Sequence, residues 1–140
     1  TMGFIKNMFW GNLREDLIFP FPEESNEEHA RCDNMLAELD TYFHNEHPAV
    51  EIDQNQEIPQ WVINRLFEMG ACGIIVPKEY GGQGLGVTSY NRVLELIGRY
   101  CGSTAVMISA HLSIGCNAIT LFGTEEQKNL MLAPFLLRSM

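Results

Sequence analysis

The run Gly81-Gly82-Gln83-Gly84-Leu85-Gly86 is the first pattern in the chain that could do chemistry, because clustered glycines can lay backbone N–H groups around a phosphate. A phosphate-binding loop of the P-loop kind also needs Gly-Lys-Ser/Thr entering a helix, and none follows here. The dinucleotide fingerprint needs its glycines between a strand and a helix, and no strand pattern precedes them. The run is therefore read as a turn whose glycines supply positive φ angles. His44 and His47 stand three apart near the end of a helical pattern, with Glu46 and Glu51 close by. No cysteine or second histidine pair joins them, whereas structural zinc takes four protein ligands, so both are read as solvated surface histidines. His111 lies among apolar neighbours and is read as a buried, hydrogen-bonded imidazole. Cys101 and Cys116 would need an adjacent base to act as nucleophiles, and the sequence places none, so both are assigned to packing.

The elements that must position these residues follow from local signals. Ser25 with Glu28 forms a capping-box pattern, and Cys32, Met35, Leu36, Leu39, Tyr42 and Phe43 then recur at helical spacing until Pro48. The polar stretch from Glu51 to Glu57 is expected to be a surface connection. Pro59 opens a second helix with Trp61, Val62, Leu66, Phe67 and Met69 inward, and Gly70 is its left-handed stop. Ile74-Ile75-Val76 is too short for a helix and is cut by Pro77. Thr88 is expected to cap a third helix carrying Tyr90, Val93, Leu94, Ile97 and Tyr100, which Gly102 and Ser103 end. An apolar helix over Thr104–Phe122 comes next, Gly123 stops it, and Thr124 with Gln127 forms a second capping box. The fold class is all-α: a helical bundle occupying residues 23–140, preceded by an arm over residues 1–22. Phe19-Pro20-Phe21-Pro22 favours extended backbone in that arm. Its Phe4, Phe9, Trp10, Phe19 and Phe21 are expected to strap across the core.

Composition narrows the function classes. The chain has 140 residues, 46% of them hydrophobic, and a net charge of −9 from 9 Lys+Arg against 18 Asp+Glu. That balance leaves no basic stripe and argues against nucleic-acid binding. The 4 cysteines are widely spaced and read as reduced thiols of a cytosolic or matrix-like compartment. Ala105–Phe122 carries no Asp, Glu, Lys or Arg and is barely long enough to cross a bilayer, so it is read as the buried central helix of a bundle rather than a transmembrane segment. Along it Ala105, Ser109, Ser113 and Cys116 place small side chains on one face, with Val106 and Ala110 flanking. Close helix approach explains such a face, and so does a wall for a slender apolar ligand.

Two longer stretches give a resemblance. IIVPKEYGGQGLG (Ile74–Gly86), and AHLSIG (Ala110–Gly115) followed by LFGTEEQK (Leu121–Lys128), resemble the N-terminal domain of acyl-CoA dehydrogenases in order and spacing. The arm MFWGNLREDLIFPFPE (Met8–Glu23) is similar to the segment before this domain in the very-long-chain enzymes. The resemblance implies an FAD enzyme that forms the trans C2–C3 double bond of long-chain acyl-CoA. It also implies reoxidation by an electron-transferring flavoprotein, a homo-oligomeric parent, and a mitochondrial matrix or bacterial cytoplasmic location. It places the catalytic base and most of the FAD site on central and C-terminal domains, so no catalytic residue is assigned in this chain, which is expected to be inactive and free of FAD alone.

The same resemblance implies that Val106, Met107, Ala110, His111 and Ile114 border the acyl tunnel. Ala105 and Ser109 are then expected to lie deeper and help set chain-length reach. The tail NLMLAPFLLRSM departs from the family pattern by a late proline and a missing glycine. Leu130, Met131, Leu132, Phe135, Leu136 and Leu137 are therefore expected to expose apolar surface. Other readings of the same bundle are a stand-alone interaction module and a small lipid carrier.

Overall fold

Ser25 starts the first long helix as its sequence requires: its hydroxyl accepts the Glu28 N–H at 3.1 Å, and α2 runs over Asn26–Asn45. The computed structural model describes residues 3–21 and 23–132; Pro22, Phe135, Leu136 and Leu137 lie outside them. Ahead of α2 is a short helix α1 (Phe4–Phe9) and a 3-10 turn at Glu15–Leu17. After it come α3 (Ala49–Asn55), α4 (Gln60–Glu68), α5 (Val87–Tyr100), α6 (Gly102–Ala110), a π turn (His111–Cys116), α7 (Asn117–Phe122) and α8 (Glu125–Met131). Helix is the only regular structure among the described residues, so the chain is all-α.

The core is the meeting of α2, α4, α5 and the helix that begins with α6. Leu39, Val62, Leu66, Val93, Ile97, Ile108 and Leu112 are wholly buried there. Each such aliphatic side chain contributes about 1.5–3 kcal/mol by leaving water. The α2–α5 and α5–α6 contacts are the most extensive in the bundle. The segment Ala71–Val76 fills its floor, with Ala71, Cys72, Ile74 and Val76 buried. Gly70, at φ +76°, turns the chain out of α4 as its position predicts.

Several expectations are corrected by the structure. The polar stretch from Glu51 is not a connection but part of α3, which turns one residue, Ile52, into the interior. Trp61 is half exposed, because α4 presents Val62 and Leu66 to the core and leaves position 61 on its rim. Thr88 does not cap α5; Gly86 holds the N-cap position and its N–H is taken by the Glu28 carboxylate at 2.5 Å. Glu28 therefore leaves its own capping box half made and supplies a negative charge to the start of α5. Gly102 and Ser103 do not break the chain between helices; Cys101 alone is extended, and Gly102 opens α6.

The arm carries a helical turn, and its aromatics do not strap the core: Phe9 and Trp10 are 80% and 67% exposed, and Phe19 and Phe21 are also open. Leu132 is fully buried, while Leu130 and Met131 are exposed as expected. Gly123 stops α7, and the Thr124–Gln127 capping box of α8 is complete.

Candidate functional site

The continuous helix Gly102–Phe122 is long and apolar enough to cross a membrane, yet it is not the buried central helix of the bundle. Only its inward side is covered. Thr104, Ile108, Leu112 and Cys116 are buried at four-residue spacing, and Val106, Ala110, Ile114, Ala118 and Phe122 are exposed at the same spacing. Val106 and Ile114 are about 70% open to solvent, at 68% and 73%. This uncharged apolar stripe, left open along one helix, is an unpartnered surface of the bundle.

The residues named from the sequence divide into three sets around this helix. Val106, Ala110 and Ile114 share the open face. Ala105 and Ser109 turn toward α5 and are half buried; the Ser109 hydroxyl lies 3.0 Å from the Tyr90 hydroxyl. Met107 and His111 occupy the other flank, where His111 Nε2 is 3.2 Å from the Cys72 carbonyl and 3.4 Å from Cys116 Sγ. The His111 ring also stands edge-on to Phe67 at 5.5 Å. Ser113 is exposed and bonds the Ser109 carbonyl at 2.7 Å, whereas Cys116 is buried, so the small-residue face expected from spacing is split.

Burial favours the neutral form of both titratable groups on this helix, His111 and Cys116. Burial lowers the His111 imidazole, opposed in part by the Cys72 carbonyl, so it stays neutral near pH 7. Burial pushes the Cys116 thiol up, and takes Cys72, which also faces Cys116, up to about 12. All four cysteines are buried free thiols, and the burial of Cys101 and Cys116 agrees with their assignment to packing.

His47 departs from its expected surface setting. Its Nε2 lies 3.2 Å from the buried Thr104 hydroxyl and its Nδ1 3.4 Å from the Tyr42 hydroxyl, and burial lowers its pKa to about 4. His44 is exposed, and no cluster of three or more His, Cys, Asp or Glu able to hold a metal occurs among the described residues.

The glycine loop has no free donors for a phosphate. The N–H groups of Gly81, Gly82, Gln83, Gly84 and Leu85 go to the carbonyls of Lys78, Pro77, Gly73, Val76 and Ile74, and that of Gly86 goes to Glu28. A side chain at Gly82 would collide with the Val76 carbonyl. The loop folds back on the core segment, with Gly81 and Gly84 at φ +83° and +58°.

The sequence profile of the acyl-CoA dehydrogenase N-terminal domain matches residues 27–137, most of the chain. The chain belongs to the acyl-CoA dehydrogenase family. It is 34% identical over 129 residues to the very long-chain specific acyl-CoA dehydrogenase of Bos taurus mitochondria, covering 91% of this chain and 20% of that protein. It is 36% identical over 131 residues to the probable acyl-CoA dehydrogenase FadE10 of Mycobacterium tuberculosis, covering 93% of this chain and 20% of the relative. A chain in a solved structure described as an electron transferring flavoprotein of Acidaminococcus fermentans superimposes with a TM-score of 0.71 at 34% identity, over 85% of this chain and 31% of that one. The chain thus spans about a fifth of the length of the curated relatives it matches.

Proposed function

We propose that this chain is the N-terminal helical domain of an FAD-dependent acyl-CoA dehydrogenase acting on long-chain acyl-CoA, and that it supplies one wall of the acyl tunnel. The observation that carries the reading is the open, uncharged stripe Val106, Ala110, Ile114, Ala118 and Phe122 in a chain of this family. An acyl tail needs continuous apolar contact and no hydrogen-bond donor, and the stripe offers that along the helix. Ala105 and Ser109 stand behind it and set how closely α5 approaches; Met107 and His111 support it from the opposite flank. The glycine loop does not fit the diphosphate of FAD. Every N–H of the glycine loop is spent internally, and the open helix face is apolar. FAD binding and the proton- and hydride-transfer steps that form the C2–C3 double bond are therefore assigned to polypeptide beyond this domain, and the domain alone is inactive.

The wider assignment follows the family. The substrate is fatty acyl-CoA, the electron acceptor an electron-transferring flavoprotein, the parent a homo-oligomer, and the site of action the mitochondrial matrix or bacterial cytoplasm, in line with the relatives' origins.

A domain replacement tests the reading. This chain is placed in the bovine very long-chain relative in place of the matching segment, and kcat/KM is measured for acyl-CoAs of increasing length. Ala110→Trp narrows the wall, and excluding two methylenes at about 0.8 kcal/mol each lowers kcat/KM for the longest substrates roughly tenfold while sparing short ones. An unchanged length profile in a folded, flavin-loaded chimera overturns the wall. Ser109→Leu is a poorer probe, because its added bulk meets Tyr90 and strains the α5–α6 contact.

A further inference from the structure

Both stripes of the Gly102–Phe122 helix repeat every four residues, and a regular α-helix cannot keep such a repeat in line. Each four-residue step turns about 40° past a full circle. Over the steps Val106, Ala110, Ile114, Ala118 and Phe122 the drift is about 160°, enough to carry Phe122 around toward the bundle. Cys116 nevertheless stays on the covered side with Thr104, Ile108 and Leu112, at 1% exposed, while α7 beyond it buries no residue and leaves Phe122 open. The π turn His111–Cys116 accounts for the register of Cys116. Its wider ring absorbs one residue, about 100° of rotation, and the Asn117 N–H closes it on the Leu112 carbonyl, five residues back.

A π turn forfeits ordinary helical hydrogen bonding and needs something to hold it. His111 is placed to do so. Five residues apart, His111 and Cys116 come into register only in the wider turn, and Cys116 Sγ lies 3.4 Å from His111 Nε2. The same Nε2 reaches the Cys72 carbonyl at 3.2 Å, in the segment beneath the helix, and Phe67 closes over the ring edge. A neutral imidazole with its proton on Nε2 donates to that carbonyl, with the sulfur as a second, weaker acceptor.

We propose that His111 is a positioning residue that pins the π turn to the Cys72 carbonyl and thereby keeps Val106, Ala110, Ile114, Ala118 and Phe122 on one outward side of the helix. The inference rests on the wall reading for its purpose only; the register is a property of this chain alone. His111 acts through the register of the helix and not by contact with substrate. It acts from behind the wall.

Scalar coupling across the hydrogen bond, measured by NMR on the full 140-residue chain, reads the acceptor of the Asn117 N–H directly. The expected partner is the Leu112 carbonyl carbon. In His111→Leu the coupling moves to Ser113 as the turn reverts to α-helix, and in His111→Gln, which restores a side-chain N–H donor, it returns to Leu112. Coupling to Ser113 in the unmodified chain, or to Leu112 in a folded His111→Leu variant, overturns the proposal. If the leucine variant does not fold, long-range proton–nitrogen spectra of the unmodified chain decide: a proton on Nε2 supports the latch, and a proton on Nδ1 alone overturns it. In the chimera, His111→Leu is expected to flatten the chain-length profile. A register that shifts without changing that profile leaves the latch standing and removes the wall.

Discussion

Acid should loosen the joint between the end of α2 and the start of α6, and His47 is the reason. Its imidazole sits between the Tyr42 and Thr104 hydroxyls, 3.4 and 3.2 Å away, and Thr104 in turn lies 3.3 Å from Cys101 Sγ. A neutral ring satisfies this chain of contacts: Nε2–H donates to the Thr104 oxygen, the Thr104 proton goes to the Cys101 sulfur, and Nδ1 accepts from Tyr42. Burial lowers the pKa from the ordinary 6.5 to about 4. The unfolded chain therefore binds the proton more tightly than the folded one. The stabilising contribution is complete above pH 6.5 and is lost as the pH falls from there toward 4.

At about 1.36 kcal/mol per pH unit the ceiling is roughly 3.4 kcal/mol. Solvent reaches part of the ring, so about half that, ~1.5–2 kcal/mol, is the expected loss. Urea unfolding between pH 7.5 and 4 measures it, with His47→Gln as the reference. Glu24 and Asp33, whose bonds to Ser89 and Arg92 hold them below the ordinary carboxylate range, also lose stability in acid, but they do so equally in both proteins. The difference between the two curves should open below pH 6.5 by ~1.5–2 kcal/mol. Curves that stay parallel to pH 4 refute the buried-imidazole argument.

Three further outcomes follow from the geometry. Gly82→Ala drives a methyl group into the Val76 carbonyl and should cost about 3 kcal/mol or prevent folding, read from the urea midpoint. Thr124→Ala removes a complete capping box and should cost about 1 kcal/mol, whereas Thr88→Ala, whose hydroxyl caps nothing, should stay within ~0.5 kcal/mol in the same assay. The open stripe should make the chain self-associate weakly, at concentrations on the order of tens of micromolar or above, and Ile114→Lys should abolish this in sedimentation velocity.

The parts of the fold written in adjacent residues were legible, and those made by distant ones were not. Ser25, Gly70, Gly123 and the Thr124–Gln127 box are local chemistry, and each marks the boundary its sequence implies. The start of α5 is capped by Glu28, 58 residues earlier in the chain, and no window around Thr88 contains that information. α3 was missed because one inward residue, Ile52, gives no periodicity to detect. His47 reads as polar surface until Thr104 arrives, 57 residues on. The apolar helix was found, but its burial was overestimated, because composition records how greasy a segment is and not which face its neighbours cover. Both of its stripes are apolar, so nothing in the sequence marks the π turn; it shows only in which residues the bundle covers.

The energetics of the open stripe say what kind of neighbour suits it. Covering Val106, Ile114 and Phe122 would contribute about 1.5–3 kcal/mol each, roughly 4.5–9 kcal/mol together. Two separate molecules must first give up about 4–15 kcal/mol of translational and rotational freedom to meet, which consumes most of that gain. A neighbour joined to the same polypeptide, or a ligand already held by its polar head elsewhere, pays little of that cost again and keeps most of the contact energy. The stripe is therefore too apolar to be left in water and too small to recruit a free partner tightly. Both properties suit a wall completed by further domains of one chain and by an acyl tail whose coenzyme end is anchored outside it. Under the proposed wall reading a slender tail lies along one side of the helix, and the π turn serves that reading by cutting the drift of the stripe from about 160° to about 60°.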